Sequence, residues 1–156
     1  MILLPVTKFI DVDFGKWFIE KYRPRSVEDV FWICKRHMIY SRQICEDWDL
    51  PRVAWRLGFG DCEELANITT SILRAMGIDA WSRIAIVRTR EGLEFHVFTI
   101  FNNSCLDLTL DRPFICPDVV HIVLDFNEKL VRIYDKSLAK FFLFRPTDTI
   151  EYLCQQ

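Results

Sequence analysis

Between Asp61 and Gly77 the chain carries the marks of one well-defined helix, and the rest of the sequence arranges itself around it. Asp61 is a capping residue, and Glu64 stands three positions later, the spacing of a capping box. Leu65, Ile68, Ile72, Leu73 and Met76 recur at intervals of three and four. Arg74 falls in the last turn, where a cation suits the macrodipole, and Gly77 supplies a left-handed stop. The spacing predicts a helix from Cys62 to Met76.

Upstream, Ser26 and Asp29 open a second helix, expected over 27–46, and 14–22 reads as a short helix or strand ending before Pro24. Residues 47–60 read as loop with a helical turn. Downstream the period drops to two. Strands are expected at 80–90, 93–101, 105–110, 119–126, 130–135 and 140–144, with Asn102-Asn103 as a tight turn. Helices first and antiparallel strands later is the α+β class. The 156 residues amount to a single domain, 1–156, with an N-terminal arm over 1–25 and a core over about 26–145.

Charge and hydropathy exclude several classes. A net charge of −2 leaves no field to hold a polyanion, so nucleic acid is not expected as a partner. No apolar run reaches the roughly 18 residues a membrane span needs. Met1–Val6 is too short for a signal h-region, and the expected location is cytoplasmic. The six cysteines form no CxxC pair, which argues against a metal site, and most read as apolar fillers of a reducing compartment. No glycine-rich phosphate loop occurs, so no cofactor is expected.

Three residues stand out against this background. Cys62 occupies the first position of the strongest helix, where unpaired N–H groups and the dipole favour thiolate, the nucleophilic form. Gly58 and Gly60 before it would let a substrate approach the backbone. His96 lies inside the apolar run LEFHVFTIF, and Asp107 inside CLDLTL, where a lone carboxylate is costly to bury. If Asn102-Asn103 forms a two-residue loop, Phe98 opposes Asp107, which then lies diagonal to His96 on one face, within reach. A longer loop would part them. The order nucleophile, base, orienter is that of a catalytic triad. Asp111 and Asp118 are alternative orienters. His37 reads as a surface residue and His121 as structural, while Arg88 and Arg90 are candidates to line a groove.

The segment GFGDCEELANITTSILRAMGIDAW resembles the cysteine helix of the transglutaminase-like superfamily. EFHVFTIF is similar to the family's histidine strand and LDLTL to its aspartate segment, with Leu108 where the family usually has proline and Phe98 where it often has tryptophan. Tyr40, Trp48 and Pro51 resemble the family's approach to the cysteine. The likeness covers roughly 40–110. It implies a papain-like fold, with the cysteine-bearing helix packed on an antiparallel sheet. It further implies a Cys62–His96–Asp107 triad that cleaves a peptide, isopeptide or amide bond of a protein or peptide substrate through a thioester. The oxyanion would meet the Cys62 N–H and one upstream donor, with Trp55 the first candidate and Gln43 and Trp48 the others. The alternatives are acyl transfer to an amine, as in a protein transglutaminase, and a non-catalytic module for interaction. Oligomeric state is not legible.

Overall fold

The helix predicted from Cys62 forms the centre of the molecule, and the other elements are laid against its sides. In the computed structural model, which describes residues 2–42 and 47–148, the chain begins with β1 (Ile2–Pro5) and a 3-10 turn (Val6–Phe9). It continues through α1 (Val12–Tyr22), α2 (Val27–His37), β2 (Ile39–Tyr40), α3 (Pro51–Leu57), β3 (Phe59–Gly60) and α4 (Cys62–Ala75). Then come β4 (Ala80–Thr89), β5 (Gly92–Phe101), β6 (Ser104–Leu106), β7 (Val119–Phe126), β8 (Val131–Ile133), α5 (Lys136–Ala139) and β9 (Phe144–Thr147). Five strands make one antiparallel sheet in the order β6-β5-β4-β7-β8, so the class is α+β as expected.

α4 starts where its residues dictate. The Asp61 N–H donates to Glu64 Oε1 at 2.9 Å, and the Cys62 N–H donates to Asp61 Oδ1 at 2.7 Å. The helix is buried from Glu63 to Leu73, not only along the predicted stripe. Leu65, Ile68, Ile72 and Leu73 face α1, α2 and α3, together with Phe14, Phe18, Phe31 and Trp55. Its opposite side meets the sheet through small polar groups. The Thr70 hydroxyl lies 2.8 Å from Ser82 and 2.9 Å from Thr99, and Thr99 donates to the Ala66 carbonyl at 3.0 Å. Hydroxyls can be buried here because each finds a partner.

α1 packs close to α4 because Gly15 has no side chain. A Cβ there would stand 2.3 Å from the Ser71 carbonyl oxygen and 2.7 Å from Ala75 Cβ. Residues 1–25, read from sequence as an arm, therefore contribute Phe9, Phe14 and Phe18 to the interior.

Four expectations need correction. α2 ends at His37, not at 46, because Met38 turns extended (φ −99°, ψ 141°) and leads into β2. β2 pairs in parallel with β3, Ile39 opposite Phe59 and Tyr40 opposite Gly60. Residues 43–46 of that expected helix lie outside the described residues. β6 stops at Leu106, since Asp107 Oδ1 accepts from Thr109 N at 3.0 Å and Thr109 Oγ1 at 2.7 Å and bends the chain. The expected strand at 140–144 is instead the turn that follows the short helix α5, with only Phe144 entering β9, which pairs antiparallel with β1 and tolerates Pro146 because this two-stranded sheet has only edges. Finally, Cys105 and Cys116 are joined by a disulfide rather than serving as free fillers.

Candidate active site

The hairpin between β5 and β6 takes the two-residue form. Asn102 and Asn103 both adopt positive φ (46° and 60°), and Phe101, Ile100 and Thr99 oppose Ser104, Cys105 and Leu106. Extending that register places Asp107 level with Phe98, diagonal to His96. Their side chains meet, with His96 Nε2 2.7 Å from Asp107 Oδ2. Asp107 is 3% exposed, and its other oxygen is held by Thr109. With Nε2 committed to the carboxylate, Nδ1 is the ring nitrogen left for other chemistry.

Cys62, at the start of α4, meets the β5 backbone at Val97. An interaction with the Val97 backbone N–H, one residue beyond His96, draws its thiol pKa down. The thiol is half-buried and points its proton at Glu63 Oε2, 3.4 Å away. The net effect is the opposite of the sequence expectation. Burial first, then the charges of Glu63 and Asp61, push the thiol well above its ordinary value. The helix end gives less help than anticipated because the first N–H is already bonded to Asp61. Glu63 is in turn pushed up to about 7 by burial and by Asp61. Ligand atoms of Asp61, Cys62 and Glu63 all lie within 4.8 Å of one another, so this corner could hold a cation.

An open groove of about 420 Å³ runs past the pair, lined by Tyr40, Arg42, Arg88, Glu94, His96, Asp107 and Thr109. Arg42 bridges its walls, hydrogen-bonding the Tyr40 phenol and ion-pairing with Glu94 at 3.1 Å. The Tyr40 hydroxyl feels the charges of Cys62 and Asp61, which places it at the same corner. Tyr40 was legible only as part of the family likeness. Arg42, Glu94 and Glu63 carried no signal of their own.

The remaining candidates fall elsewhere. Trp55 packs in the helical core, its ring stacked on His37 at 3.7 Å and edge-on to Phe14 and Phe18, and it does not line the groove. Its expected role as oxyanion donor is not what this packing allows, since the indole is fixed on the α1–α2 side. Trp48 is buried against Phe9 and Phe126. Gln43 lies outside the described residues. Asp111 contacts Arg112, and Asp118 pairs with Arg88 at 3.2 Å, so the His96 ring is left to Asp107 among these three. His37 donates to the Trp55 carbonyl, and His121 pairs with Asp135 at an exposed position. Gly60 is small for an internal reason, since a Cβ would stand 2.7 Å from that of Glu64.

No family model matches the chain, and no curated protein matches it. Solved structures do. A candidate cysteine protease from Cytophaga hutchinsonii superposes with a TM-score of 0.58 at 13% identity over 76% of this chain, which spans 44% of that protein's length. LapG of Legionella pneumophila matches in its EGTA-treated form (TM-score 0.58, 18% identity, 88% of this chain and 89% of that one). Its calcium-bound form matches too (TM-score 0.56, 17% identity, 81% and 90%). The chain thus shares the α+β, papain-like fold of these solved structures.

Proposed function

We propose that this protein is a cysteine hydrolase of peptide, isopeptide or amide bonds in a protein or peptide substrate, with Cys62 as nucleophile, His96 as base and Asp107 as its orienter. The observation that carries the reading is the 2.7 Å His96–Asp107 bond beside a cysteine whose sulfur reaches the backbone of the residue after His96. Because the resting thiol is protonated, the mechanism is general-base catalysis rather than attack by a preformed thiolate. His96 Nδ1 takes the thiol proton as sulfur adds to the carbonyl carbon. Asp107 holds Nε2–H and stabilises the imidazolium. The same proton then goes to the departing amine, leaving a thioester. Water, deprotonated by His96, releases the acid and restores the thiol.

A divalent cation held by Asp61 and Glu63 would neutralise the two carboxylates that hold the thiol up and so ease its ionisation. The site fits one, since it already carries more negative charge than it can comfortably bury, and one of the LapG structures is the calcium-bound form. The reading of the cysteines as fillers of a reducing compartment does not extend to Cys105 and Cys116, whose disulfide weighs toward an oxidising one.

Acyl transfer to an amine uses the same thioester and is separated by an amine-incorporation assay. The raised thiol is the one observation that favours a non-catalytic module. Cys62→Ala decides the matter. Loss of all turnover with an unchanged melting temperature is expected, and equal activity in the variant would discard the mechanism.

A further inference from the structure

We infer that the Tyr40 hydroxyl is the side-chain donor that receives the developing oxyanion when Cys62 attacks an acyl carbon, a role that rests on the hydrolase reading above. Among the described residues the site is short of donors. The Cys62 N–H, the first group expected to serve, is bonded to Asp61 Oδ1 at 2.7 Å. Trp55 is fixed in the helical core by its stack on His37. Tyr40 stands where those two do not.

Its backbone is held by the parallel pairing with Gly60, two residues before the nucleophile, and Ser41 N–H donates to the Gly60 carbonyl at 2.8 Å. Its side chain lines the same groove as His96 and Asp107. The Arg42 guanidinium faces the phenol oxygen and is itself fixed by Glu94 through contacts of 3.1 and 3.3 Å. Arginine has only donors, so the tyrosine oxygen is the acceptor and its own proton stays free to donate. Burial raises the phenol above its ordinary value, which keeps that proton in place at neutral pH.

In the step itself the sulfur–carbon bond forms and the carbonyl π pair moves onto oxygen. Tyr40 donates a hydrogen bond to that oxygen without transferring its proton. The pair returns as the bond to the leaving group breaks, and the thiol proton has gone to His96.

The test is the nitrophenolate burst from p-nitrophenyl acetate, run beside iodoacetamide alkylation of Cys62, with Cys62→Ala as the blank. Alkylation by displacement at a saturated carbon makes no oxyanion. Tyr40→Phe is expected to slow the burst by about 10²–10³, the loss typical of one oxyanion donor, and to leave alkylation and melting temperature unchanged. A burst equal to that of the wild type overturns the role of Tyr40 alone. A parallel fall in burst and alkylation marks a merely structural residue and overturns it too. Absence of any burst in the wild-type protein instead refutes the hydrolase reading, and this role falls with it.

Discussion

Replacing Asp107 by asparagine changes one atom and separates the chemistry of the carboxylate from its packing. The carboxylate has two tasks: Oδ1 accepts from the Thr109 N–H and hydroxyl at 3.0 and 2.7 Å, and Oδ2 accepts from His96 at 2.7 Å. An asparagine can keep its carbonyl on Thr109, so the turn after β6 survives. Its NH₂ then faces His96 Nε2, which must become the acceptor, and the ring proton moves to Nδ1. The nitrogen needed to take the thiol proton is thereby filled. Placing the wrong tautomer in a nucleophile–histidine–aspartate site costs about 10⁴ in kcat, or about 5 kcal/mol of barrier at 1.36 kcal/mol per decade. Stability should change far less, since one charged bond becomes a neutral one at a cost of about 1 kcal/mol, or a 2–4 °C fall in melting temperature. The assay is the nitrophenolate burst beside a melting curve, with ¹⁵N NMR of the His96 ring to read the tautomer. An asparagine variant with full rate, or one whose ring keeps its proton on Nε2, would refute the reasoning.

Gly15→Ala should destabilise the fold without touching the site. The new Cβ meets backbone at 2.3 Å, so overpacking of about 1–3 kcal/mol exceeds the roughly 1 kcal/mol gained in helix propensity; a melting temperature that rises would contradict the α1–α4 packing. Cys105→Ser opens a cross-link between residues 11 apart, worth about 3 kcal/mol in the chain-entropy model, and frees the segment after Asp107. Urea unfolding of the variant beside the oxidised protein reads that loss. Glu63→Gln tests the carboxyl pushed up to about 7. Because that shift favours the protonated form in the folded state, the wild type should lose more stability than the variant as pH rises from about 4.5 to about 7, the remainder coming from Glu64, whose carboxyl burial also pushes up. The gap should reach at most about 3 kcal/mol at 1.36 kcal/mol per pH unit, measured by urea unfolding with a chelator present.

What was legible in the sequence was whatever depended on neighbours along the chain. Asp61, Glu64 and Gly77 specify α4 to within a residue of its observed end, and Asn102-Asn103 specifies the hairpin that brings Asp107 to His96. What was not legible depended on partners distant in sequence. α2 stops early because β2 is claimed by β3, a pairing that no local period announces. Trp55 was a plausible donor until His37 and two phenylalanines took its ring. The Cys105–Cys116 bond needs the loop geometry to bring its halves together. The state of the Cys62 thiol differs from the dipole expectation because that expectation left out burial first, and then the charges of Glu63 and Asp61.

The central claim is that Cys62 and His96 work as one unit, and the pH dependence of Cys62 alkylation by iodoacetamide tests it most directly. If imidazole takes the thiol proton, Cys62 should already alkylate below the ordinary thiol range, and His96→Ala should abolish that reaction. A rate that climbs only above the ordinary thiol range of about 8.5, unaffected by His96→Ala, would show an isolated buried thiol and contradict the account.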